Sequence, residues 1–235
     1  LRGGAGDDRL AGGSGDDDLA GDGGSDTYDW TPGQVKWSMP VTLPSDPDQV
    51  IVADDRKKIY RLRVGEQVRE LASETLEAPL LGTCAIIGDT MYATSAGPSA
   101  DFLLSFDAGS LAEKSKRLMD GRVVWGPIAV GEYVLLRTDD GKLRSFDTAG
   151  EPKFEIALPD GPMVDGITQT AESLIVCGRD GWVVSIDPAA GTMIGQTDLS
   201  QPLSAPPLPV GKRLLVPGME GVVYIIETPQ SVPSL

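Results

Sequence analysis

The chain has 235 residues, of which 40% are hydrophobic and 6% aromatic, with 29 glycines and 18 prolines. This length suffices for one large all-β domain or two smaller ones, and the composition favours short strands and many turns over long helices. The net charge of −15 argues against a nucleic-acid ligand, and the absence of histidine excludes His-containing zinc sites and Ser-His-Asp catalysis.

The first 30 residues repeat with a period of nine. The segments GGAGDDRLA, GGSGDDDLA and GDGGSDTYD each carry an aspartate at the sixth position, namely Asp8, Asp17 and Asp26, and an apolar residue at the eighth. Glycine-rich turns can present carbonyl oxygens, and calcium prefers a shell of carboxylate and carbonyl oxygens. The pattern resembles the RTX calcium-binding nonapeptide repeat, which implies a short parallel β-roll over residues 1–30.

The RTX resemblance also implies the residues that hold calcium. Asp8 and Asp26 would share one site, and Asp17 would lie on the opposite side of the roll. The backbone ligands of the family fall here among Gly3, Ala5, Gly12 and Ser14. Asp22 interrupts the glycine pattern of the third repeat. A flexible Gly/Asp-rich leader is the alternative interpretation, and we expect disorder without calcium because the clustered carboxylates repel one another.

A second period, of 40 residues, runs through the rest of the chain. The segments FLLSFD, KLRSFD, WVVSID and VVYIIE end at Asp107, Asp147, Asp187 and Glu227, and 147 − 107, 187 − 147 and 227 − 187 each equal 40. Acidic residue–glycine turns precede three of them, and such turns between apolar runs indicate β-hairpins. Each unit reads as four short strands. This is the spacing of a propeller blade, so residues 31–235 are predicted to form an all-β propeller of about five blades.

The last blade lacks a fourth strand in the sequence. The units are placed at 45–76, 77–121, 122–161 and 162–201, followed by a three-stranded unit from residue 202 onwards. We expect residues 33–44 to supply the missing strand and close the ring, because Gly33 and Trp37 match Gly150 and Phe154 of a complete unit. The alternative is a partial ring whose exposed blade edges associate with another copy.

The best copies of the longer repeat are KLRSFDTAGEPKF (142–154) and WVVSIDPAAGTMI (182–194). They resemble the PQQ-like repeat of quinoprotein-type propellers, including BamB-like scaffold proteins. This repeat serves both enzymes and scaffolds. The resemblance therefore leaves a quinoprotein-like oxidoreductase fragment, or another propeller enzyme, as an alternative to a scaffold.

No residue pattern indicates catalysis. The aspartates at 107, 147 and 187 recur in successive blades, so we interpret them as turn caps. Trp125 and Trp182 are interpreted as packing residues between blades. Cys84 and Cys177 are interpreted as separate thiols on strands, and a disulfide between them is the alternative interpretation. Adjacent cysteines, which often hold the quinone in quinoprotein dehydrogenases, are absent.

The sequence thus predicts a non-catalytic propeller scaffold with a short calcium-binding segment. We expect its partner to be a protein or another macromolecule that contacts the loop face or the mouth of the central channel. The RTX resemblance implies a secreted or cell-surface bacterial protein that uses calcium as its cofactor. No apolar run is long enough to span a bilayer. The change of period near residues 30–33 is also compatible with an artificial junction of two unrelated sequences.

Overall fold

The computed structural model describes residues 9–11, 27–29, 38 and 40–229. Within these residues, every regular element is a β-strand except for one 3₁₀ turn at Met219–Gly221. Two short strands, β1 (Arg9–Ala11) and β2 (Thr27–Asp29), pair with each other in parallel, and five antiparallel sheets follow along the chain. The all-β class predicted from the sequence is therefore confirmed.

The five sheets follow one another in chain order. The first contains β3 (Val41–Leu43), β4 (Asp46–Ala53), β5 (Lys58–Arg63) and β6 (Arg69–Thr75). The second contains β7 (Leu80–Ile87), β8 (Thr90–Ser95), β9 (Phe102–Asp107) and β10 (Glu113–Leu118). The third contains β11 (Val123–Val130), β12 (Tyr133–Thr138), β13 (Lys142–Phe146) and β14 (Pro152–Ala157). The fourth contains β15 (Thr168–Gln169), β16 (Leu174–Cys177), β17 (Trp182–Asp187) and β18 (Thr192–Asp198), and the fifth contains β19 (Leu208–Val210), β20 (Arg213–Pro217) and β21 (Val223–Glu227).

Each sheet is an up-and-down meander in which sequential strands are neighbours. The first strands of the first three sheets contact one another, β3 with β7 and β7 with β11. Successive sheets therefore stack around an axis with their first strands innermost, which is the arrangement of propeller blades. The prediction of about five blades is confirmed, and among the described residues the first four sheets have four strands each and the fifth has three.

Local sequence explains the hairpins. Gly141 and Gly181 adopt positive φ angles of 81° and 113° in the turns that join the second and third strands of their sheets. Such angles favour glycine, since a side chain would clash with the backbone there. The apolar strands β12 and β16, between these turns and the first strands, are buried on both faces because sheets cover them from both sides.

The hydrophobic core is divided among four interfaces between successive sheets. One cluster joins the first and second sheets, and others join the second to the third, the third to the fourth, and the fourth to the fifth. Each cluster combines the face of one sheet with the opposite face of the next. The blades therefore form an arc in which stability comes from nearest-neighbour packing.

The predicted closing strand is wrong over the part that the structure describes. Val41–Leu43 is the first strand of the first sheet and pairs with β4 rather than with the fifth sheet. Residues 33–37 lie outside the described residues. Within the described part of the chain, β21 pairs only with β20, so the fifth sheet ends at its third strand.

Candidate functional site

The two nonapeptide strands pair with the offset that an RTX roll requires. Leu10 lies opposite Tyr28 in a parallel register, and 28 − 10 equals 18, or two repeats of nine. This is the spacing at which the RTX resemblance placed neighbouring turns on one side of the roll. The predicted ligands Gly3, Ala5, Asp8, Gly12, Ser14, Asp17 and Asp26 lie outside the described residues.

Among the residues that the structure describes, no group of three or more acidic or cysteine side chains is arranged to hold a metal ion. The calcium prediction therefore depends on the nonapeptide segment alone.

A cleft of about 650 Å³ opens between the third and fourth sheets, on the side of the Asp-Gly turns. Its floor includes Trp125 from β11 and Met163, both buried. Its rim is charged, with exposed Asp160 and Asp165 on the loop that joins the two sheets and Arg179 from the turn after β16. A concave site with an apolar floor and a polar rim is the usual shape of a ligand or partner site.

The loop that forms one wall of the cleft is held by hydrogen bonds from three buried side chains. Arg137 Nη1 and Nη2 donate to the carbonyls of Gly161 and Pro159, at 2.5 and 2.8 Å. Trp125 Nε1 donates to the carbonyl of Val164 at 3.0 Å, and Trp182 Nε1 donates to that of Asp160 at 2.9 Å. Because these donors come from strands, the loop is fixed before any partner arrives. Such preorganisation reduces the entropy lost on binding.

Arg137 is the only buried arginine of the cleft within the described residues, with 4% of its surface exposed. Burial lowers the pKa of Arg137, while the charges of Asp160 and Asp140 act in the opposite direction. Its Nε is also buried and lacks a hydrogen-bond partner among the described residues. The guanidinium nevertheless stays charged, because arginine does not lose its proton in proteins. It therefore gives a positive charge to the base of a cleft with an acidic rim.

A second buried arginine organises the neighbouring turn. Arg144 Nη1 and Nη2 donate to the two carboxylate oxygens of Asp140, at 3.0 and 2.8 Å, and Arg144 Nε lies 3.0 Å from Glu155 Oε2. Burial alone would raise the pKa of Asp140. The hydrogen bonds from Thr138 and Arg144 outweigh it, and the pKa falls to about 2. The carboxylate is thus ionised at neutral pH and fixes the Asp-Gly turn at the edge of the cleft.

The opposite side of the arc carries a larger cleft of about 870 Å³ between the fourth and fifth sheets. It is lined by short polar side chains of turns, such as Thr170 and Ser173, which hydrogen-bond each other at 2.9 Å. No buried charged side chain is among its lining residues within the described chain. The cleft with Arg137 is therefore the better candidate for a specific partner.

The recurrent aspartates cap turns, as predicted. Asp107 Oδ1 accepts hydrogen bonds from the backbone of Gly109 and Ser110, at 3.1 and 2.8 Å. Asp147 and Asp187 make the same kind of contact two to four residues further along the chain. Backbone hydrogen bonds, from Ser110 and Glu151 respectively, are the main reason that the pKa values of Asp107 and Asp147 are lowered. These carboxylates serve the blade turns.

The tryptophans and cysteines also follow the sequence interpretation. Trp125 and Trp182 are buried in the cluster between the third and fourth sheets. Cys84 is half-buried and Cys177 is buried, and both are free thiols. Burial raises the pKa of Cys177 to about 12, so it stays protonated and unreactive at neutral pH. No helix in the described part of the chain is long and apolar enough to cross a membrane.

Comparison with known families assigns the N-terminal segment. The family model of the RTX calcium-binding nonapeptide repeat (4 copies) matches residues 1–28. The chain therefore carries RTX calcium-binding repeats at its N-terminus. The match does not extend into the five sheets, and no curated protein matches the chain.

Comparison with solved structures assigns the five sheets to the propeller class. BamB from Moraxella catarrhalis is similar with a TM-score of 0.61 and 16% sequence identity, over 83% of this chain and 62% of BamB. BBS1N, solved in complex with ARL6DN, has a TM-score of 0.61 and 15% identity, over 86% of this chain and 66% of that one. The computationally designed Ika8 protein has a TM-score of 0.59 and 12% identity, over 80% of this chain and 58% of Ika8. The chain thus spans about three fifths of the length of BamB, and the similarity defines the fold alone.

Proposed function

We propose that the protein is a non-catalytic propeller scaffold that binds a protein partner and carries a calcium-binding RTX segment. We assign its sheets to the PQQ-like repeat of BamB-type propellers, on the basis of the segments at 142–154 and 182–194. The supporting observation is the cleft between the third and fourth sheets, which has a rigid wall, an apolar floor and a charged rim. BBS1N, which has a similar fold, was solved in complex with ARL6DN.

The rim carries more exposed carboxylates than exposed arginines, and this excess of negative charge favours a partner segment that carries basic residues. Asp160 and Asp165 are exposed, whereas Arg137 is buried below them. Opposite charges across an interface accelerate encounter and select partners.

The RTX repeats favour a secreted or cell-surface location in a bacterium, where extracellular calcium would fold them. The carboxylate ligands would come from Asp8 and Asp26, and from Asp17 on the other side.

Replacing Asp165 by lysine tests the proposed partner site. Asp165 is exposed, and its ion pair with Arg179 is also exposed, so folding is expected to change by less than about 0.5 kcal/mol. Immobilised protein would be exposed to surface extracts in the presence of calcium, and retained proteins quantified by mass spectrometry. We expect retention of the specific partner to fall about tenfold with Asp165→Lys, because a favourable charge becomes repulsive.

The matched control is Glu172→Lys, which makes the same charge change on the opposite side of the arc. Equal retention by both variants and the wild type would contradict the cleft as a partner site.

The alternative, an oxidoreductase, is tested by adding PQQ with calcium and recording the absorbance of protein-bound quinone. Stoichiometric quinone binding would overturn the non-catalytic assignment.

Calcium titration calorimetry on the whole chain tests the RTX segment. We expect binding with a dissociation constant on the order of 10⁻⁴ to 10⁻³ M, the range of extracellular calcium modules. Asp26→Asn is expected to weaken binding at least about tenfold, since it removes a charged ligand from the site shared with Asp8. Asp17→Asn should affect that site less. The absence of binding heat in the wild-type chain would remove the calcium assignment.

A further inference from the structure

The fifth sheet has two faces, and within the described residues only one is covered. Leu214 and Val216 pack in the cluster that joins it to the fourth sheet. On the other face, Leu208, Leu215 and Ile225 form one cross-strand row, because directly paired residues point to the same side. Leu208 and Ile225 are 60% and 62% exposed. The outer face of the fifth sheet is therefore an exposed apolar surface.

This outer face is built like the covered faces of the preceding sheets. Val223 on β21 corresponds, in steps of 40 residues, to Val183, Leu143 and Leu103. Those three side chains are 0%, 0% and 3% exposed, because each packs against the next sheet, whereas Val223 is 57% exposed. An exposed apolar patch of this kind marks an interaction surface. The shape that fits it is another β-sheet, which packs about 10 Å away.

The charges on the outer face are balanced. Next to the apolar row lies a row formed by Val210, Arg213 and Glu227, in which Arg213 Nε is 3.8 Å from Glu227 Oε1. A surface with one basic and one acidic residue side by side is self-complementary. When such a surface meets its own copy around a two-fold axis, each arginine can approach the glutamate of the other copy.

We propose that the outer face of the fifth sheet binds the same face of a second copy, forming a symmetric dimer. The interface buries Leu208, Leu215, Val223 and Ile225 and pairs Arg213 with Glu227 across the two-fold axis. A two-fold interface closes on itself, so it leaves no apolar face to continue into a filament. The chain carries a net charge of −15, so salt strengthens the dimer by screening the repulsion between copies.

The outer side of the first sheet fits this apolar face less well than a second copy of the fifth sheet does. Its own outer side presents Val50, Tyr60 and Leu62, which are only half-exposed, while Val52 is buried. Lys58 Nζ lies 5.3 Å from the centroid of the Tyr60 ring and adds a charge over that side. Docking the fifth sheet there would strip water from the Lys58 ammonium, a cost that opposes binding.

Sedimentation equilibrium tests the dimer over a concentration range from about 1 to about 200 μM, which brackets micromolar affinities. EDTA is present so that the RTX segment makes no calcium-dependent contribution. The wild type is expected to shift from monomer to dimer, more readily at higher salt. Ile225→Asp is expected to weaken the dimer at least about a hundredfold, because two carboxylates would be buried in an apolar interface. Leu118→Asp, at a residue 58% exposed on the second sheet, is the matched control and is expected to keep the dimer.

Hydrogen exchange at the two ends of the concentration range locates the interface without any substitution. We expect slower exchange at high concentration in residues 208–227 and no change in residues 46–63. A wild type that stays monomeric at the highest concentration would overturn the proposal. So would a dimer that resists Ile225→Asp, or concentration-dependent protection of residues 46–63, which would identify the first sheet as the occupant.

Discussion

Replacing Trp182 by alanine is expected to lower the free energy of unfolding by about 3–5 kcal/mol, the range for deleting a buried aromatic side chain. Trp182 is 5% exposed and belongs to the cluster between the third and fourth sheets. Its ring lies directly against Gly178, where even a methyl group would collide with the indole. A cavity of indole size would therefore remain at an interface that holds two blades together.

The substitution also removes a hydrogen bond that fixes the wall of the cleft. Trp182 Nε1 donates to the carbonyl of Asp160, which would lose this partner. Trp182→Phe is the control, because it retains an aromatic ring while removing the donor. We expect Trp182→Phe to cost clearly less than the alanine variant. Urea unfolding measures both, and a loss below about 1 kcal/mol for Trp182→Ala would contradict the assigned packing role.

Much of the fold could be predicted because its signals are local. The run WVVSID becomes β17 at Trp182–Asp187, and the preceding turn has the positive φ angle expected of its glycine. The capping role of Asp187 was also predictable, since its Oδ1 accepts hydrogen bonds from the backbone N–H groups of Ala189 and Ala190, two and three residues further along the chain. Such features depend on a few consecutive residues, and the period of 40 repeats them often enough to be recognised.

Pairings between distant segments could not be predicted in the same way. The repeat predicts that residues 33–44 complete the fifth sheet, yet Val41–Leu43 forms the first strand of the first sheet. A strand of three residues has almost no hydrophobic pattern to specify its neighbour. The number of strands in the fifth sheet and the exposure of Val223 likewise depend on what lies next to them, which a single repeat does not encode.

The sequence does not predict the cleft, for a related reason. Arg137 lies in YVLLRT, an apolar strand that is buried on both faces. Its acceptors are the carbonyls of Pro159 and Gly161, and backbone acceptors leave no side-chain pattern in a sequence. The one signal of the cleft in the sequence is the arginine itself. The equivalent positions of the next two repeats, 40 and 80 residues later, hold the uncharged residues Cys177 and Pro217. A charge at one position of an otherwise apolar repeat marks a blade that differs from the others.

The pair Val183→Asp and Val223→Asp gives the sharpest test of how the arc is built. The two valines occupy equivalent places, since 223 − 183 equals 40, but Val183 is fully buried against the fifth sheet and Val223 is 57% exposed. Val183→Asp is expected to cost more than about 4 kcal/mol, because it buries a carboxylate without a partner. Val223→Asp should change the stability of the monomer by less than about 0.5 kcal/mol.

Urea unfolding at about 1 μM separates these effects from self-association, because a dimer of micromolar affinity is mostly dissociated there. Because both variants introduce the same aspartate, the two positions differ only in whether a neighbouring sheet covers them. A large loss for Val223→Asp under these conditions would mean that its face is covered within a single chain, so that the arc closes on itself. A small loss for Val183→Asp would contradict nearest-neighbour packing between the fourth and fifth sheets, on which both the arc and the dimer surface depend.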